Sequence, residues 1–228
     1  ADNVIYATNV WLARQPRLRR AILPLGSDVI ATEPIPDLLE EHGWSGGESF
    51  SDSRLTVHYS QATRDGRIVF GRAGGSIGPA GRVLGSFDFD RGRTAEVERE
   101  LVALIPFTDG VRITHRWGGA VDRSSDGLPF FGRLKGAVPN LYAAGFSGNG
   151  VAPTWIAGRE LARAVLGRQA DSDLKFLHGG FRGRFPPEPA RTFGGMLVRD
   201  AVLRKESGED RGRRPGPLTA RLAKLAPS

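Results

Sequence analysis

The sequence contains no cysteine and a single methionine, Met196. Without thiols there is no disulfide, no thiolate nucleophile and no zinc–thiolate centre. Histidine is scarce too: His42, His58, His115 and His178 fall at no metal-ligand spacing, so no metal site is expected. No apolar run approaches the ~20 residues needed to span a bilayer. Residues 1–6 lack the basic and long apolar regions of a signal peptide. These absences fit a cytoplasmic location. The chain does not start with Met and opens directly into an apolar run, which reads as a fragment of a longer protein.

What is present is ordinary for a globular chain. Of 228 residues, 39% are apolar and 25% charged, enough for one large domain or two small ones with a buried core. The net charge of +7 is unevenly spread. Residues 168–228 hold 13 Lys/Arg against 7 Asp/Glu, whereas residues 1–167 hold 19 against 18. No nucleic-acid motif accompanies the basic tail, so it reads as a solvated surface or docking patch, with no nucleic-acid partner.

Periodicity gives a mixed reading. Val4-Ile5-Tyr6 is expected to be a buried strand, followed by a basic stretch from Arg14 to Arg20. Ala21 to Thr32 reads as a strand in which Pro24 and Gly26 mark an edge or bulge. Asp37 is placed to cap a short helix through Glu41. Leu55, Val57 and Tyr59 alternate with Thr56, His58 and Ser60, which assigns the histidine to solvent. Asp65-Gly66 then turns the chain into Ile68-Val69-Phe70-Gly71, a hairpin, and the Gly-rich stretch 71–85 reads as loop. Thr94 to Ile105 is amphipathic, with Thr94 as cap, Val97, Leu101, Leu104 and Ile105 on one face, and Pro106 as stop. Val111 to Trp117 is strand-like, and Asp122 to Gly127 reads as a polar turn. In the tail, Arg191 to Glu206 forms a helix with Phe193, Leu197, Val198, Ala201 and Val202 available for one face, and 207–217 is expected to be mobile.

The chemistry is concentrated at Leu141 to Trp155. A short strand feeds Gly145-Phe146-Ser147-Gly148-Asn149-Gly150-Val151-Ala152-Pro153, and a helix follows through Trp155, Leu161 and Ala164 to Gly167. Three glycines permit sharp turning and close approach of a flat ligand to the main chain. Pro153 suits the first helical turn, whose free N–H groups favour an anion. The pattern is not a phosphate cradle, since neither Gly-x-Gly-x-x-Gly after a first strand nor Gly-x-x-x-x-Gly-Lys is present. A tight connection and a cofactor-facing turn both satisfy the glycines.

Arg116-Trp117-Gly118-Gly119, Asp126 to Gly132, and Asn140 to Gly150 together resemble the C-terminal signature of the D-amino-acid oxidase-like flavoproteins, which include glycine and sarcosine oxidases. The resemblance extends upstream through Ile30 to Pro34 and Asp65 to Gly71. It implies a mixed α/β fold: an antiparallel substrate-domain sheet joined to the C-terminal strand and helix of an FAD-binding domain. Residues 1–20 would end that FAD domain, 21–115 form the substrate domain, 116–167 return to the FAD domain, and 168–228 form a basic extension.

By the same resemblance the cofactor is FAD, bordered by Gly145, Phe146, Ser147, Gly148, Asn149, Gly150, Val151, Ala152 and Pro153. Ser147 either borders the ring or only closes the turn, and Asp126 fixes the loop before Pro129. Absence of cysteine separates the chain from relatives that attach flavin through sulfur. Tyr59, Arg72, Arg116 and Trp117 are candidates for contacting a small amine or amino-acid substrate, the arginines as cations for a carboxylate. The implied activity is oxidation by hydride transfer to flavin N5, with electrons passing to oxygen or another acceptor and no protein base required. The rival reading is a non-catalytic remnant or subunit that needs a separate nucleotide-binding chain.

Overall fold

A computed structural model describes residues 1–44, 47–168 and 174–226. Its larger sheet is fully antiparallel and is built from β2 (Leu23–Thr32), β3 (Ser49–Ser51), β4 (His58–Ala62), β5 (Ile68–Ile77) and β6 (Ile113–Arg123). The strand order is β3-β4-β5-β2-β6. The hairpin lies where the sequence placed it: Ala62 pairs with Ile68, and Gly66 takes a φ of +77° that L-residues resist. One face is covered by α2 (Arg91–Leu104), whose Val97 and Leu101, with Ile105 just beyond its end, pack on Ile30, Ile68 and Phe70.

Several local readings are corrected. Helix α2 begins one turn early because Asp90, not Thr94, accepts the Arg93 N–H, and Leu104 is exposed. The short helix α1 (Pro36–Glu41) has no side-chain cap, so Asp37 does not serve as one. The stretch after Gly71 is not loop, because β5 continues through Gly74 and Gly75 to Ile77. Its glycines mark close approaches: a Cβ on Gly71 would enter the Tyr59 ring, and one on Gly75 would strike the Asp28 carboxylate. The bulge expected near Gly26 is present as a register shift between Leu25 and Ser27, but β2 is central rather than an edge. Strand β6 runs unbroken through Gly118-Gly119, pairing with β2 as far as Arg123, so position 116 is no boundary between sheets.

The smaller sheet consists of β1 (Val4–Tyr6), β7 (Phe130–Leu134) and β8 (Asn140–Ala144), in the order β1-β8-β7. β1 runs parallel to β8 and is a half-exposed edge strand, not a buried one. Helix α3 (Pro153–Val165) packs Ala157, Leu161 and Ala164 against Phe131, Leu141 and Ala143. The opposite face receives Leu12, Leu18 and Ile22 against Phe130 and Tyr142. The whole is a mixed α/β fold with an antiparallel sheet, as expected.

The tail folds onto both sheets. Gly180 donates to the Phe131 carbonyl at 2.9 Å, along the free edge of β7. Helix α4 (Ala190–Glu209) follows β5 beyond the end of β4, and α5 (Pro217–Ala223) packs on it. Arg199 donates to the Gly75 carbonyl at 3.2 Å, and buried Glu206 accepts the Leu55 N–H at 2.9 Å as well as the Thr56 hydroxyl. Of the face expected on α4, Ala201 and Val202 are buried against α5, whereas Phe193 and Leu197 are exposed. The stretch 207–217 is not featureless: it completes α4 and a turn closed by the Arg213 N–H on the Gly208 carbonyl at 2.9 Å. Among the described residues no helix is long and apolar enough to cross a membrane.

Candidate functional site

Strand β8 ends at Ala144, and the next residues fold back so tightly that Gly145, Ser147 and Gly148 take φ of +81°, +57° and +93°. Gly145 is obligatory for a second reason, since a Cβ there would lie 2.6 Å from the Phe130 ring. Asp122, buried at the end of β6, holds the turn. Its carboxylate accepts the Gly145 N–H at 2.6 Å and the Ser147 N–H at 3.3 Å, and the Phe146 N–H also lowers its pKa. Burial pushes the Asp122 pKa above the ordinary carboxylate range, and these three N–H groups only partly offset it. Ser147 donates from Oγ to the Gly145 carbonyl at 3.0 Å and accepts from Ser124 N–H at 3.2 Å, so its side chain closes the turn.

Beyond the turn, α3 starts without a side-chain cap. The backbone N–H groups of Val151 and Ala152 find no acceptor among the described residues, which leaves a small positive pole at the helix start. This pole opens on a groove of about 520 Å³ lined by Ile5, Asn9, Val121, Phe146, Gly148 and Thr154, among others. Its wall is mostly apolar, and Gly148 and Gly150 bring bare backbone to its surface. Such a groove suits a flat ring with an electron-rich edge.

The large sheet leads into this groove. Tyr59, Gly71, Val29 and Trp117 pair in one row across four strands, and alternation along β6 carries the same face through Gly119 to Val121. Tyr59 lies over Gly71, and its hydroxyl is 2.8 Å from Ser27 Oγ. Burial, above all, raises the Tyr59 pKa, so the phenol stays protonated near neutrality. Trp117 is 40% exposed rather than core.

The adjoining row, His58, Arg72, Asp28 and Gly118, points to the other face, beneath α2. Arg72 is ion-paired with Glu100 of α2, and Arg116, on that same face, donates to Glu98 at 2.6 Å. The two arginines therefore do not join Tyr59 and Trp117; carboxylates of α2 have already claimed them. His58 is likewise not in solvent but 1% exposed, between Asp52 at 2.7 Å and Glu100 at 3.2 Å and stacked on Phe70. Burial alone would lower its pKa, but the bonds to Glu100 and Asp52 outweigh burial and hold it above the ordinary value. Asp52 and Glu100 are held low, because the same bonds and, for Glu100, the Arg72 charge overcome burial.

Residues 1–164 match the DAO family, described as FAD dependent oxidoreductase. The chain belongs to that family. The probable oxidoreductase OrdL of Haemophilus influenzae is 30% identical over 210 residues, which cover 90% of this chain and 43% of OrdL. The gamma-glutamylputrescine oxidoreductase of Escherichia coli is 31% identical over 191 residues, 80% of this chain and 41% of that protein. The crystal structure of glycine oxidase from Geobacillus kaustophilus superposes with a TM-score of 0.61 at 19% identity, over 80% of this chain and 46% of that one. At that identity the likeness is one of fold. The chain thus spans less than half the length of the relatives it matches.

Sequence reasoning missed Asp122, assigned to a turn, and Ser27. A single acidic residue before Ser-Ser-Asp-Gly carries no local signal of burial; only the length of β6 reveals it. Asp126 does hold its loop, accepting the Leu128 N–H at 3.1 Å and pairing with Arg182 of the tail.

Proposed function

We propose that this chain supplies the flavin-facing and substrate-facing half of an FAD-dependent oxidoreductase acting on an amine or amino acid. It corresponds to the C-terminal part of such an enzyme, with oxygen or another acceptor taking the electrons. Residues 1–20 and 124–167 belong with the cofactor domain, 21–123 form the substrate domain, and 168–228 form a basic extension bracing both. We place that boundary at 123, supported by the pairing of β6 with β2 as far as Arg123.

The observation that carries the reading is the convergence of the uncapped α3 start, the glycine turn and the open row of the sheet on one apolar groove. The residues present fit a flavin: bare backbone at Gly148 and Gly150 admits a flat ring, and the Val151 and Ala152 N–H groups are available to electron-rich ring atoms. When bound, the flavin supplies the acceptor for a hydride leaving the substrate. The chain's own residues do the rest. Gly145 to Pro153 seat the ring edge, with Asp122 fixing their N–H directions before the ligand arrives. Tyr59, whose hydroxyl donates to Ser27 Oγ while Ser27 donates to the Arg72 carbonyl, offers its phenol oxygen as an acceptor to a substrate donor, and Trp117 walls the pocket and excludes water. Exposed Ile5, Val151 and Trp155 beside the groove suit contact with the nucleotide-binding half.

Fluorescence titration with lumiflavin, the ring system without its nucleotide, tests the seat. Saturable quenching that is weakened at least tenfold by Gly148→Val supports the reading. Equal binding by both proteins, or none by either, overturns it.

A further inference from the structure

A second cleft, of about 750 Å³, lies on the opposite flank of the small sheet, where the tail crosses β7. Its size is that of a small-molecule site. Core and tail build it jointly: Arg17, Arg133 and Tyr142 come from the family region, Phe181 and Arg184 from residues outside the 1–164 match. Among the described residues no Asp or Glu lines it. Three of the other tail arginines are taken by carboxylates. Arg182 pairs with Asp126, Arg191 with Glu188 and Arg199 with Asp200. Arg17 and Arg184 meet no carboxylate among the described residues, and the Arg184 guanidinium lies 5.1 Å from the centre of the Phe181 ring.

The cleft also presents a polar group that no protein group engages among the described residues. The Tyr142 hydroxyl has no hydrogen-bond partner among the described residues, although the residue is only 4% exposed. Burial raises its pKa and the Arg17 charge pulls it down; the net rise keeps the phenol a donor. Gly132 and Gly180 flank the hydroxyl, and a Cβ on Gly132 would collide with the phenol at 2.5 Å. Phe131, Leu134 and Leu161 add an apolar wall.

We propose that this cleft binds a small molecule bearing a phosphate monoester on an apolar body. Two guanidinium groups without a carboxylate among the described residues match a phosphate's charge of about −1.5 to −2 at neutral pH, and guanidinium geometry suits phosphate oxygens. Tyr142 adds a neutral donor, and the apolar wall receives the remainder of the ligand. The site is independent of the flavin reading, because neither Arg17 nor Arg184 lines the groove at the glycine turn.

The test uses the 228-residue chain and 1-naphthyl phosphate, followed by fluorescence, with 1-naphthol and inorganic phosphate as comparators. Saturable binding of the ester, at least tenfold tighter than either comparator, is expected. Arg17→Ala combined with Arg184→Ala should weaken it at least tenfold without changing the circular dichroism, since both side chains are exposed. Arg213→Ala with Arg214→Ala, a pair outside the cleft, should leave it unchanged. The proposal is overturned if naphthol binds as tightly as the ester, if the cleft variant binds like the parent, or if both double variants lose affinity equally. Lumiflavin titration of the cleft variant should match the parent, which separates failure here from failure of the flavin seat.

Discussion

The two faces of the five-stranded sheet carry different chemistry. Beneath α2, most conspicuous charges are answered: His58 by Asp52 and Glu100, Arg72 by Glu100, Arg116 by Glu98, whereas Asp28 in the same row is buried without an ion pair among the described residues and burial raises its pKa. On the other face a row of Tyr59, Gly71, Val29 and Trp117 is aromatic, small and without ion pairs among the described residues. The residues that look most reactive as letters serve structure. The face without charge is the one that opens toward the glycine turn.

Removing a charge that is tied into hydrogen bonds or ion pairs should cost stability, at the glycine turn as well as beneath α2. The largest loss is expected from Asp122→Ala, which strands buried N–H groups of the turn; chemical denaturation should show about 2–4 kcal/mol. If stability is unchanged, Asp122 does not hold the turn. Arg72→Leu follows, with an expected loss of about 1–3 kcal/mol, because Glu100 keeps a partly buried charge with one partner fewer. A parent-like unfolding curve together with lost lumiflavin binding would move Arg72 back to the site.

The pH dependence sharpens the same contrast. A raised His58 pKa gives stability that is fully present below the ordinary histidine range and lost as pH rises through the folded-state value. Lowered Asp52 and Glu100 pKa values act oppositely: their contribution is present above the ordinary carboxylate range and lost as pH falls through their folded-state values. The melting temperature should therefore pass through a maximum between these limits, and His58→Gln should flatten its alkaline side. A parallel profile in the variant would remove His58 from the account. On the open face Tyr59→Phe should shift stability by less than about 1 kcal/mol, since only one half-buried hydrogen bond is lost.

Much of the fold was legible because it is locally encoded. Asp65-Gly66 announced the β4–β5 hairpin, and Pro153 and Gly167 bracketed α3. The glycine turn was legible as a turn, for its left-handed residues leave a compositional trace. What escaped depends on the partner across the sheet. His58 and Tyr59 alternate, but only the packing of α2 decides which of them is inside. Glycines in β5 read as loop because their cause, the Tyr59 ring and the Asp28 carboxylate, lies on neighbouring strands. Arg72 and Arg116 looked available because α2's carboxylates are distant in sequence from Arg72 and offset from Arg116 by a loop and half a strand.

The most direct test of the central claim is an amide ¹H–¹⁵N map of the chain titrated with lumiflavin. Shifts confined to Gly145 through Thr154 and to Trp117 through Val121 are the expected result, with the amides of α2 and of His58 still. Perturbation centred on α2 or on the Arg17–Arg184 cleft, or no perturbation at saturating ligand, would contradict it.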